Sequence, residues 1–166
     1  MIVGVEDQTD GPLRLWQGEV TPEWLDYNGH MTEHRYLQAF GETSDALYGA
    51  IGIDFARANE GAYYTAETRI RHRAEAKAGT PLFSETEILG YDEKRLHLHH
   101  SLYDASGTLL ATGEHLSIHV SASTVTPASG PTLRAIHRLF ELQKERTTPE
   151  GCGSVLRRQL SFHRAG

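Results

Sequence analysis

Apolar and polar residues alternate along Leu13–Val20 (LRLWQGEV). This predicts a first strand with Leu13, Leu15, Gln17 and Glu19 on one face and Trp16 and Val20 on the other. Thr21-Pro22 ends it, and the loop formers of residues 24–30 (WLDYNGH) follow, with Asn28-Gly29 as a turn signal. From about Met31 to Ile53 the spacing changes to that of a long helix. Tyr36, Leu37, Phe40, Ser44, Leu47, Tyr48 and Ile51 form its apolar stripe, opposite Glu33, Arg35, Gln38, Glu42 and Asp45. Gly41 and Gly49 each cost this helix about 1 kcal/mol relative to alanine, which implies a sheet packed closely against them.

A short helical turn at 54–61 precedes four alternating stretches, residues 62–73, 82–91, 95–103 and 108–120. The turns at Asp92–Lys94 and Asp104–Gly107 are short, so these strands are expected to pair as an antiparallel meander. A last helix spans about Thr132 to Arg146, with Pro131 at its start and Leu133, Ile136, Leu139, Phe140 and Leu142-Gln143 on or beside its inner face. The organisation read from this pattern is an N-terminal extension at 1–12, one domain at 13–146 and a poorly ordered tail at 147–166. One long apolar helix and one antiparallel sheet of about five strands make an α+β fold, with the sheet curled around the helix.

Composition narrows the function classes. With 39% hydrophobic and 23% charged residues among 166, the chain has the make-up of one soluble globular domain. No run of about 18 apolar residues is present, which argues against a membrane span. Residues 1–11 carry Glu6, Asp7 and Asp10 and no basic residue, so a secretory signal is not expected. The single cysteine, Cys152, cannot form an internal disulfide and fits a cytoplasmic location. Between Gly151 and Gly153 it reads as chemically inert. A net charge of −6 speaks against nucleic acid as a partner but leaves an anionic ligand such as CoA open, because a few local cations can hold phosphates.

The stretch D-Y-N-G-H-M-x(4)-Y, Asp26 to Tyr36, resembles the motif between first strand and central helix in hotdog-fold thioesterases of the 4-hydroxybenzoyl-CoA thioesterase type. A-x-A-G-T-P, within residues 74–81, and D-A-S-G-T-L-L-A-T-G at 104–113 stand where that family has a small-residue turn and its last hairpin. The resemblance covers roughly residues 13 to 122. P-E-W-L-D-Y-N-G-H-M-T-E-H-R-Y is similar, more narrowly, to thioesterases of carnitine breakdown, which hydrolyse betainyl-CoA and in some bacteria are fused to carnitine dehydrogenase. One departure is Trp24, where many relatives have a second aspartate.

The resemblance implies that Asp26 is the catalytic carboxylate, attacking the thioester carbon or activating water, and that no cofactor is needed. The alternative is a non-catalytic hotdog protein that binds acyl-CoA. Backbone N–H groups of His30 to Glu33, at the positive end of the helix, are the expected oxyanion donors. Gly29 admits close substrate approach, and Asn28 and His30 can bond to the carbonyl, the water or Asp26. A betainyl group would need aromatic faces, for which Trp16, Trp24, Tyr27, Tyr63 and Tyr64 are candidates. His97, His99 and His100 lack the partners of a metal site and are read as exposed or cross-strand residues. Arg69, Arg71 and Arg73 are read as a solvated strand face that could otherwise meet CoA phosphates. The unpaired edges of such a sheet, and the resemblance, imply a homodimer or a dimer of dimers with the site between subunits.

Overall fold

The computed structural model describes residues 11–153; residues 1–10 of the expected extension at 1–12 and residues 154–166 of the expected tail lie outside them. In chain order come β1 (Leu13–Glu19), a 3-10 turn (Pro22–Trp24), α1 (Glu33–Ala50), a second 3-10 turn (Phe55–Glu60) and β2 (Ala62–His72). Then follow β3 (Pro81–Tyr91), β4 (Arg95–Asp104), β5 (Leu109–Ser121), the two-residue β6 (Thr124–Val125) and α2 (Gly130–Leu142). The sheet runs β1-β3-β4-β5-β2, antiparallel throughout, with β6 added to β5. It curls around α1, which is the hotdog arrangement.

The hairpins of the meander have local causes. Asp92 accepts the amides of Lys94 and Arg95, and Asp104 accepts those of Ser106 and Thr108. Each carboxylate closes its own turn and leaves the strands on either side nowhere to go but together. The expected meander holds for β3, β4 and β5 and fails for β2. That strand runs along the far side of β5, because residues 73–80 cross beneath the start of α1 and are fastened there. The Met31 amide donates to Ala76 (2.7 Å), Tyr36 OH donates to the Ala74 carbonyl (3.1 Å) and the Gly79 amide donates to Val20 (2.8 Å).

The helix shows which parts of a pattern decide burial. Tyr36, Phe40, Ser44, Leu47 and Tyr48 are buried as expected, together with Ala39, Thr43 and Ala46, but Leu37 is exposed. Gly41 and Gly49 also lie on the exposed face, so neither admits the sheet. The glycine that does so is Gly113 on β5. A Cβ there would stand 2.9 Å from the Phe40 ring and 2.6 Å from His115 Nε2. Gly113→Ala therefore forces the ring or the strand to move, and overpacking of this kind costs about 1–3 kcal/mol. Denaturant unfolding of that variant is expected to show a loss of this size, with Gly41→Ala neutral or slightly stabilising as a control.

Two further differences have clear causes. The β1–β3 register slips between Leu13 and Trp16, which turns Trp16 inward together with Leu15 and breaks simple alternation. Its Nε1–H donates to Glu42 on α1 (2.8 Å). At the end of α2, Leu142 is exposed whereas the C-cap residue Gln143 is fully buried. The Gln143 amide accepts from Ile88 N–H (2.9 Å) and donates to the Thr86 carbonyl (3.0 Å), so a side chain takes the place of a neighbouring strand at the edge of β3.

Candidate active site

Asp26 stands on a small hairpin between β1 and α1. Leu25 and Met31 pair across it, the Asp26 amide donates to the His30 carbonyl (2.8 Å) and the Gly29 amide donates back to Asp26 (3.1 Å). Gly29 has φ +77, a left-handed conformation that costs glycine nothing. With no heavy atom near its Cβ position, the reason for this glycine is the turn itself. The Asp26 carboxylate completes the turn: Oδ1 accepts the amides of Asn28 (2.8 Å) and His30 (3.3 Å). Among the described residues Oδ2 has no hydrogen-bond partner. One oxygen of this half-buried carboxylate is thus fastened and the other is left open.

The start of α1 is more occupied than the sequence suggests. The His30 amide serves Asp26, the Met31 amide serves Ala76 and the Thr32 amide serves the Trp24 carbonyl (2.8 Å). Of the four expected donors only Glu33 keeps a first-turn amide without a partner among these bonds, and His34 stands next to it. The N-cap residue, Thr32, makes no side-chain cap bond to these amides.

The remaining predicted site residues fall into three situations. His30 turns its ring toward Glu75 (Nε2 to Oε2, 3.3 Å), and Asn28 and Glu33 are exposed beside the turn. Tyr27 is 96% exposed, with no protein behind its ring. Trp24 is half-buried, and the Arg35 guanidinium lies over its ring, 5.6 Å from the centroid. The other aromatics named from the sequence are scattered. Trp16 is in the core, Tyr63 stacks on Tyr48 deep in the barrel, and Tyr64 is exposed on β2.

Sequence reading missed the crossover segment. Beside the Asp26 hairpin opens a groove of about 330 Å³ lined by Met31, Glu33, Tyr36, His72, Arg73, Ala74 and Glu75. Tyr36 and His72 meet edge to face at 4.8 Å. Burial, and next the Glu75 carboxylate, push the Tyr36 phenol above its ordinary pKa. Nothing in the linear sequence marks residues 72–75, since only the crossover brings them to α1.

The three strand histidines are not exposed. His97, His99 and His100 are all buried, and among the described residues no group of three His, Cys, Asp or Glu is placed to hold a metal. His97 bonds across to Glu114 (2.8 Å) on the outer face of the sheet. Residues 150–153 lie over that face: Arg69 donates to the Gly151 carbonyl (3.2 Å) and Gly153 N–H to Glu114 (2.8 Å). Arg69 and Arg71 are half-buried under this segment and so do not form a solvated face; Arg73 is exposed. Cys152 is here too, its thiol pushed up to about 12 by burial and by Glu114 and Glu87. A thiol so far from ionising is a poor nucleophile. No described helix is long and apolar enough to cross a membrane.

A curled antiparallel sheet around a central helix, with a loop carboxylate at the helix start, defines a hotdog-fold domain of the thioester-hydrolase type. The chain belongs to the thioesterase-like superfamily, whose sequence profile matches residues 20–148. It is 49% identical over 153 residues to an L-carnitine dehydrogenase/betainyl-CoA thioesterase of Agrobacterium fabrum, covering 90% of this chain and 31% of that protein. A betainyl-CoA thioesterase of Pseudomonas aeruginosa is 36% identical over 149 residues, covering 87% of this chain and 94% of that one. The chain thus spans about a third of the fused relatives and nearly all of the separate one. Among solved structures, a candidate thioesterase of Pseudomonas putida superposes with a TM-score of 0.77 at 34% identity, covering 86% of this chain and 94% of that chain. A Staphylococcus aureus protein solved with CoA shares the fold (TM-score 0.80, 22% identity, 87% and 94% covered).

Proposed function

We propose that the chain hydrolyses betainyl-CoA to betaine and CoA, with Asp26 as the catalytic carboxylate. The observation that carries this reading is the divided role of the Asp26 carboxylate at the mouth of α1. Hydrogen bonds to Oδ1 fix the plane of the group, so Oδ2 is aimed without a loss of rotational freedom at the moment of reaction.

The chemistry needs only groups the chain supplies. Oδ2 takes a proton from water as the water attacks the thioester carbon, or attacks that carbon itself to give an anhydride that water then opens. In either route the carbonyl oxygen becomes an oxyanion, and the open amides of Glu33 and His34 at the positive helix end suit it. Collapse expels CoA as thiolate, which takes up the proton held by Oδ2 in the first route and, in the second, the proton released when water opens the anhydride. The relatives' names supply the acyl group, and His30 and Asn28 frame the space it would enter. The enzyme works, on this reading, in the cytoplasm as a homodimer or dimer of dimers. The outer edge of β2, eleven residues long and with no neighbouring strand among the described residues, supports the pairing of two copies.

The test is continuous detection of free thiol with betainyl-CoA and the purified chain. The expected kcat/KM lies in the ordinary enzymatic range, about 10⁴–10⁸ M⁻¹s⁻¹. Binding of the thioester without thiol release would make the chain an acyl-CoA binder instead.

A further inference from the structure

Resting on the betainyl reading, we propose that the groove beside the Asp26 hairpin seats the trimethylammonium head, with Glu75 and Glu33 supplying the charge and Tyr36 the wall. The aromatic residues that flank Asp26 in sequence are poorly suited to this task. A guanidinium already lies over the Trp24 ring, so a second cation on that face meets repulsion. Tyr27, at 96% exposure, has nothing behind it to exclude water, and an exposed ring holds a cation weakly.

The groove has what those residues lack. A quaternary ammonium has no N–H to donate, so it is selected by negative charge, apolar walls and shape. Tyr36 is buried and fixed by its bond to Ala74, and His72 packs against its ring. Met31 adds an apolar wall, and the lining carries two carboxylates, Glu33 and Glu75, against one guanidinium, Arg73. Glu75 is held near the hairpin by His30, and its field reaches the Tyr36 phenol. The groove adjoins the reacting centre through Met31, which lines it, pairs with Leu25 across the Asp26 hairpin and donates its amide to Ala76. Betaine is a compact acyl group with one methylene between its cation and its carbonyl. A cation site this close to the carboxylate is therefore required.

The experiment compares kcat/KM for betainyl-CoA and for tert-butylacetyl-CoA, which has the same shape without the charge. The ratio is measured in wild type, Glu75→Gln, Glu33→Gln, the double variant and Trp24→Leu. One carboxylate near a cation at a wet site is worth about tenfold. Glu75→Gln is expected to lower the ratio about tenfold, the double variant further, and Trp24→Leu less than threefold. A ratio unchanged in both glutamine variants and in the double variant overturns the groove assignment while betainyl-CoA remains the substrate. A wild-type ratio of one overturns the betainyl reading itself, and the groove assignment with it.

Discussion

Asp26→Asn is expected to lower kcat for betainyl-CoA by two orders of magnitude or more while KM moves less than about threefold. The structure makes this substitution unusually clean. Asparagine keeps a carbonyl oxygen at the Oδ1 position, so the amides of Asn28 and His30 retain their acceptor and the hairpin keeps its shape. What is lost is the second oxygen, Oδ2, together with the negative charge that attacks carbon or draws a proton from water. The melting temperature is expected to stay within a few degrees of wild type. Asp26→Ala removes the turn bonds as well and is expected to lose stability by about 1 kcal/mol in addition to activity. Activity of Asp26→Asn within threefold of wild type would mean that the carboxylate serves only the turn.

The second large effect is on stability. Lowering the pH from 7 to 5 is expected to destabilise the protein by several kcal/mol, through three histidines buried in the neutral form. His100 is enclosed between the hydroxyls of Ser44 (2.9 Å) and Thr86 (3.0 Å), and burial, then His115 and His99, hold its pKa well below the ordinary value. His115 bonds to Thr68 (3.0 Å) and among the described residues has no partner at Nε2; burial and His99 lower it to about 4, against the pull of Glu114. His99 is lowered to about 4 by burial, with Glu114 again opposing and His97 and Arg71 assisting.

Because the folded pKa values are depressed, their contribution is complete above the unfolded value near 6.5. It is lost as pH falls through 6.5 toward 4, since only the unfolded chain takes up the protons. Each histidine then costs about 1.4 kcal/mol per pH unit. Urea midpoints at pH 7, 6 and 5 check this. His100→Gln, which can still meet a hydroxyl at each end, is expected to reduce the slope by about one proton. A stability that is flat from pH 7 to 5 would contradict the buried neutral state.

Much of this architecture was legible because periodicity and turn chemistry are local. The α1 stripe around Phe40 and Leu47, the strands and the Asp-sided turns at 92 and 104 are each encoded within a dozen residues. Long-range facts were not. Alternation along residues 62–73 reads the same whether that strand pairs with β3 or with β5, and only the ties from Met31, Tyr36 and Val20 to residues 74–79 decide it. The same ties bring Glu75 and His72 to the site, so these residues were invisible to any reading of the Asp26 motif alone. Gly113 carries a similar lesson: the helix glycines drew attention, yet the close approach to Phe40 is made from the sheet.

The measurement that bears most directly on the account is thiol release from betainyl-CoA and tert-butylacetyl-CoA by the same wild-type preparation. A site that binds the charge through a few ring and carboxylate contacts, each worth about 0.5–2 kcal/mol, should favour the cationic thioester by at least tenfold in kcat/KM. Equal values for the two thioesters would leave a hotdog thioesterase whose substrate carries no cation, and would contradict the function proposed for this chain.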